Sequence, residues 1–209
     1  MSALRSTSPS IPCLDNGDRL SRAEFHRRYE AMPHLKKAEL IEGVVYLGSP
    51  VRIEHSRGDK QLTAWLAAFE LTTPDVEACS NASVLFDDDN EFQPDICLRR
   101  VAGGTSRVED GYVTGPPELV VEIAASSVSR DLHMKKEVYR RHGVQEYIVW
   151  RVLDEALDWF VLRDGEYVEQ KPDARGVIES QVFPGLRLAV TELLAGDFAG
   201  VLAEQQAAR

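Results

Sequence analysis

Three charged residues stand where a folded chain would be expected to exclude them. Glu122 interrupts the apolar run Leu119-Val-Val-Glu-Ile-Ala124, Asp95 follows Pro94 at the mouth of another apolar segment, and Lys135 lies among apolar positions of a helical pattern. An unpaired charge in a core is costly, so such groups are expected to be paired or to serve chemistry. Two carboxylates at the ends of neighbouring strands can hold Mg²⁺ or Mn²⁺, which favour oxygen ligands. The cation would polarise a phosphate oxygen and lower the pKa of bound water. An ammonium nearby could orient that water or stabilise the charged transition state. Asp, Glu and Lys would then divide the work of hydrolysing a phosphodiester. As spacing alone, Pro-Asp followed 27 positions later by Glu is a weak signal in an acidic protein.

The elements that must position these groups centre on residues 117–143. Alternation puts Leu119, Val121 and Ile123 on one face of a strand and Val120, Glu122 and Ala124 on the other. The near-continuous apolar run predicts a central strand covered on both faces. For Glu122, a carboxylate that reaches water or an arginine at a strand end is an equal alternative. A helix is expected over 129–142, capped by Ser127 or Ser129 and stopped at Gly143. Its stripe of Val128, Leu132, Lys135, Val138 and Tyr139 places Lys135 inward and Lys136 toward the edge. A lysine on such a stripe can also snorkel to solvent.

Upstream, Ser21 and Glu24 form a capping box that opens a helix to about Ala31. Residues 37–47 predict two short strands about Glu42-Gly43, with Glu39 in the first. A helix over 53–70 carries His55 on its packed stripe, where a hydrogen-bonding structural role is the commoner expectation and a part in the site the secondary one. Strands are expected at 76–79 and 82–86, and Asp87-Asp88-Asp89-Asn90 reads as a turn because it lacks the alternating ligands of a calcium loop. Residues 101–116 read as a long connection. Downstream come a strand at 144–152, a hairpin turning at Arg163-Asp164-Gly165, a short strand near Val177 and a closing helix over 191–194.

Length and composition bound the rest. With 209 residues, 44% hydrophobic and 28% charged, one domain over 18–200 is expected, between a loose tail at 1–17 and a C-terminal tail at 201–209. No apolar run approaches the roughly 20 residues that span a bilayer, and the N-terminus lacks an apolar signal core, so a cytoplasmic protein is expected. Cys13, Cys79 and Cys97, odd in number and scattered, suggest reduced thiols. A net charge of −10 argues against coating nucleic acid through a broad basic surface. It does not exclude an enzyme whose carboxylate site is anionic until a metal fills it. Arg130, Lys135, Lys136, Arg140 and Arg141 crowd the helix beside that site, although such a crowd is more commonly a solvated face.

ELIEGVVY, QPDICL and PELVVEIAASSVSRDLHMKKEVYRRHGVQEYIVW together resemble the Uma-type restriction-endonuclease family, which is similar in fold and site to the PD-(D/E)XK nucleases. The resemblance runs from about Leu20 to Leu194. Its specific part is E-(I/V)-x-x-S, then D-x(3)-K-x(3)-Y-x(3)-G and EYIVW in order. It implies an α/β fold: a restriction-endonuclease-like core with a central mixed sheet flanked by helices and a C-terminal β-hairpin extension. It further implies Asp95 and Glu122 as ligands of Mg²⁺ or Mn²⁺. The lysine usual two residues after the glutamate is replaced by Ala124, and the family's lysine then falls at Lys135. Glu39 matches an auxiliary acidic position, with a strand-edge charge as the equal alternative, and Asp131 and Tyr139 match positions expected to hold the helix. The activity implied is endonucleolytic cleavage of nucleic acid, DNA foremost, with a homodimer allowed by analogy only. Two alternatives stay open: a degenerate nuclease fold acting as a binding or assembly module, and a hydrolase of small phosphoesters.

Overall fold

The structure is a computed structural model describing residues 11–207. Helix α1 (Arg22–Glu30) is capped by the Ser21 hydroxyl, which accepts from the Glu24 amide. Strands β1 (Ala38–Ile41) and β2 (Val44–Leu47) follow. Their two-residue turn puts both Glu42 and Gly43 at positive φ, the hairpin geometry whose twist matches the strands. Helix α2 (Ile53–Glu70) leads to β3 (Val76–Ser80), β4 (Val84–Leu85), β5 (Glu91–Phe92) and β6 (Ile96–Arg100). The acidic run at 87–90 forms the β4–β5 turn, as expected, and Asp87 accepts from the Asp89 amide.

The expected long connection at 101–116 is instead partly ordered as a hairpin, β7 (Arg107–Glu109) and β8 (Tyr112–Thr114), turning at Asp110-Gly111. Strand β9 (Leu119–Ala124) then enters a six-residue π-helical segment, Arg130–Lys135, which continues as α3 (Lys136–His142). Gly143 stops that helix in the left-handed conformation, φ +82°. Neither expected cap acts as one: Ser129 makes no capping bond, and the Ser127 hydroxyl donates to Asp131. The chain closes with β10 (Glu146–Arg151), β11 (Ala156–Arg163), β12 (Glu166–Gln170), β13 (Val177–Glu179), β14 (Arg187–Ala189), α4 (Val190–Leu194) and α5 (Phe198–Ala207).

Two six-stranded sheets and one small hairpin result. The expected central mixed sheet has the order β12-β11-β10-β9-β6-β3, with β9 and β10 parallel. The second sheet, β2-β1-β5-β4-β8-β7, lies beside it, and β13 pairs with β14. Alternation along β9 separates the two principal cores. Leu119, Val121 and Ile123 pack with Leu62, Trp65, Leu66 and Phe69 of α2. Val120 and Ala124 pack instead with Val138 and Tyr139 of α3 and with Ile41, Val84 and Phe92 of the second sheet. A smaller core joins Leu14 and Phe25 to Ala38, Leu40 and Val45.

Both expected tails need correction. Residues 1–10 lie outside the described residues, but Leu14 is buried in the small core and Gly17 donates its amide to the Val45 carbonyl. At the other end, α5 runs through the expected tail at 201–209. Val201 and Gln205 are buried, so the folded unit extends past residue 200.

Candidate active site

Antiparallel β6 and β9 pair Ile96 with Val121, and extending that register by one residue sets Asp95 opposite Glu122. Directly opposed residues share a sheet face. Both carboxylates therefore belong to the face turned toward α3 and the second sheet, and both line a cavity of about 840 Å³. Glu39 of β1, His55 of α2 and Lys135 of the π-helical segment line it too.

Lys135 is the hub of one half. Its Nζ donates to Glu39 Oε1 at 2.7 Å and Glu122 Oε1 at 2.9 Å, and lies 3.8 Å from Asp131 Oδ1. Burial disfavours the ammonium, yet Glu122, Glu39 and Asp131 outweigh it and raise its pKa. The Tyr139 hydroxyl donates to the same Glu122 oxygen at 2.9 Å. The D-x(3)-K-x(3)-Y spacing thus brings three side chains to one carboxylate neighbourhood. Glu39 also accepts from the Gln93 amide at 3.1 Å. Burial opposes its ionisation, but Lys135 and Lys37 hold its carboxyl below the usual range.

Asp95 anchors the other half. Oδ2 accepts from the Ile123 amide at 2.7 Å and lies 3.2 Å from His55 Nε2, while Oδ1 accepts from Lys37 Nζ at 2.9 Å. Burial would raise its pKa, but His55, Lys37 and the Ile123 amide together hold the carboxyl well below its ordinary value. The hydrogen bond with Asp95 raises the pKa of His55. Glu122 goes the other way: burial pushes its carboxyl up to about 8 against the pull of Lys135, with Asp95 adding repulsion. Two carboxylates side by side thus have their proton affinities driven apart.

The structure brings Asp95, Glu122, Lys135, Glu39 and His55 together. Lys136 points elsewhere, its Nζ 3.4 Å from the centroid of the Phe160 ring. Sequence reasoning missed Lys37, whose position two residues before Glu39 puts both on one face if the strand pattern is extended back by a residue. The cavity wall carries the carboxyl groups of Glu39, Asp95, Glu122 and Asp131, oxygen donors suited to a hard cation, beside the ammonium groups of Lys37 and Lys135. Among the described residues no group of three or more His, Cys, Asp or Glu is arranged as a metal cage. Asp95 and Glu122 are the residues that could hold an ion such as Mg²⁺, which keeps several waters and takes one or two carboxylates.

A strand-borne carboxylate pair, a buried lysine and flanking helices define a nuclease-like α/β fold, and comparison with known proteins agrees. The family model for Uma2, described as "Putative restriction endonuclease", matches residues 22–191, and the chain belongs to that family. It is similar in fold to the crystal structure of a "putative nuclease belonging to DUF820" from Anabaena variabilis ATCC 29413. The TM-score is 0.65 at 16% identity, covering 81% of this chain and 96% of that one. No curated protein matches.

Proposed function

We propose that this protein is a divalent-metal-dependent endonuclease that hydrolyses phosphodiester bonds in DNA. The observation that carries the proposal is the convergence of Asp95 and Glu122 on one sheet face, with the Lys135 ammonium 2.9 Å from Glu122. Family membership and the nuclease-like fold support the same reaction class.

Asp95 and Glu122 would hold Mg²⁺ or Mn²⁺, which supplies Lewis acidity toward a phosphate oxygen and acidifies water. Asp95, kept ionised by His55, Lys37 and the Ile123 amide, is a fixed anionic ligand. Glu122 presents one oxygen to Lys135 and Tyr139, which leaves the other as the ligand atom. Lys135, held by three carboxylates, sets the orientation of Glu122 and adds positive potential where phosphate charge develops. Glu39 orients Lys135 through its 2.7 Å contact and serves as the auxiliary acid of the set.

Nicking of supercoiled plasmid in Mg²⁺ or Mn²⁺ is the test. Asp95→Ala and Glu122→Ala are each expected to lower cleavage at least a hundredfold with the fold intact by circular dichroism. Lys135→Ala should reduce turnover more than Mn²⁺ affinity, whereas Lys136→Ala should leave both near the parent. Full cleavage by either carboxylate variant would refute the assignment. The degenerate-module alternative draws on the acidic character of the chain, with its net charge of −10. Metal binding without turnover of any phosphodiester would favour it, and turnover of small phosphodiesters alone would identify a small-phosphoester hydrolase.

A further inference from the structure

Two lysines meet the carboxylates of the site, and they are held differently. Lys135 is closed in: its side chain is 3% exposed and three carboxylates surround it. Lys37 makes one ion pair, with Asp95 Oδ1 at 2.9 Å, and its side chain is 29% exposed at the cavity wall. Its backbone is fixed, because the Gly48 amide donates to the Lys37 carbonyl at 2.9 Å. Its freedom therefore lies in the four-carbon stem and compact ammonium. Of Asp95's two oxygens, Oδ2 is committed to the Ile123 amide, which leaves Oδ1 as the oxygen Lys37 covers.

We propose that Lys37 is a displaceable cation: it neutralises Asp95 until a divalent ion takes Oδ1, and then turns its ammonium to a phosphate oxygen of the substrate. The first half concerns metal affinity alone; the second rests on the nuclease reading above. An ion entering between Asp95 and Glu122 must dislodge the ammonium or work against its charge a few ångströms away. Lys135 has no comparable freedom, since leaving its place would strand Glu39, Asp131 and Glu122 together. Once moved, Lys37 remains on the cavity wall beside Lys36 and Arg52, where a backbone phosphate would meet it.

The test titrates Mn²⁺ into substrate-free protein by electron paramagnetic resonance and calorimetry, comparing the parent with Lys37→Met, Lys37→Gln and Lys37→Arg. Loss of the competing charge is expected to tighten Mn²⁺ binding about tenfold in the Met and Gln variants, equivalent to about 1.4 kcal/mol. The Arg variant should stay near the parent. At saturating Mn²⁺, plasmid nicking by the Met and Gln variants should fall about tenfold or more, with partial recovery in Lys37→Arg. If Lys37→Met does not fold, Lys37→Gln carries the comparison, since its amide can still reach Asp95. Unchanged or weaker Mn²⁺ affinity in the neutral variants would overturn the displacement. Tighter binding with unchanged nicking would overturn the phosphate role alone. A parent that binds Mn²⁺ but cuts no nucleic acid defeats the nuclease reading and leaves the affinity comparison standing.

Discussion

At the level of single residues, the meaning of a charge comes from its partners. Asp95 is buried, which raises a carboxyl pKa, but His55, Lys37 and the Ile123 amide reverse that effect. A carboxylate whose folded pKa lies below its unfolded value stabilises the protein above the unfolded pKa of about 3.9, and the benefit is lost as pH falls through the folded value. Asp95→Asn should therefore cost roughly 2 kcal/mol at pH 7 in metal-free buffer, and the deficit should shrink below pH 4. Urea unfolding of parent and variant at pH 7 and pH 3.5 measures it, and an equal deficit at both would count against the paired carboxylate. Glu122 has the opposite sign. Raised from 4.5 to about 8, it lowers the protein's stability progressively across that interval as pH rises. Five of the grouped side chains were legible as site candidates in sequence: Asp95, Glu122 and Lys135 as charges among apolar neighbours, Glu39 through the family pattern, and His55 as a secondary candidate on a packed stripe. Lys37, in a short polar lead-in to β1, had no signal separating it from a solvated lysine. Its role is created by the Ala38–Leu47 pairing that carries it to the mouth of β6.

The secondary elements were readable wherever local chemistry alone decides them. Alternation along β9 foretold which side chains share a face, the structure setting one face against α2 and the other against α3, and Glu42-Gly43 and Asp164-Gly165 foretold two hairpins. Asp110-Gly111 carries the same turn signal, but its strands are only three residues long, so it disappeared into an apparent loop. The π-helical turn was invisible, because a 3.6-residue period already puts Lys135, Val138 and Tyr139 on one side. π-Turns are rare and frequently sit at functional sites. This one carries Asp131 and Lys135 over the sheet while leaving α3 in register with its core. Deleting the exposed His133 should let the segment relax to an α-helix. Residues before the deletion would turn about 100° relative to α3, one residue's rotation. The Asp131–Lys135 contact, which spans the deletion, should be lost, and nicking should drop at least tenfold with little change in far-ultraviolet circular dichroism. Undiminished nicking would mean that the wide turn has no part in placing Lys135.

Across the whole molecule, a helix that the sequence presented as a tail packs against the elements that support the site. The segment after Gly196 is rich in alanine and glutamine, so its one buried valine gave little reason to dock it. Burial there becomes evident only once β13 and β14 supply a surface: Val201 enters the main core, and the Gln205 amide spans two backbone groups. It accepts from the Arg187 amide at 2.8 Å and donates to the Gly185 carbonyl at 3.0 Å. The Arg187 carbonyl in turn accepts from the Trp65 indole at 2.7 Å, which ties β14 to α2, the helix that carries His55 to Asp95. Removing α5 leaves those two backbone groups without their Gln205 partner, at about 1–3 kcal/mol for each that stays buried and unpaired, and exposes Val201. Against a total stability of about 5–15 kcal/mol, that loss is large. A chain ending at Gly196 should unfold at markedly lower urea than the parent. Gln205→Ala, which keeps the helix, should cost about 1–3 kcal/mol. Fluorescence of Trp65, packed edge-on against Trp159 at 6.1 Å, reports the loosening directly. If the shortened chain unfolds at the parent's urea midpoint with unchanged fluorescence, α5 is an appendage, and the placement of His55 owes nothing to it.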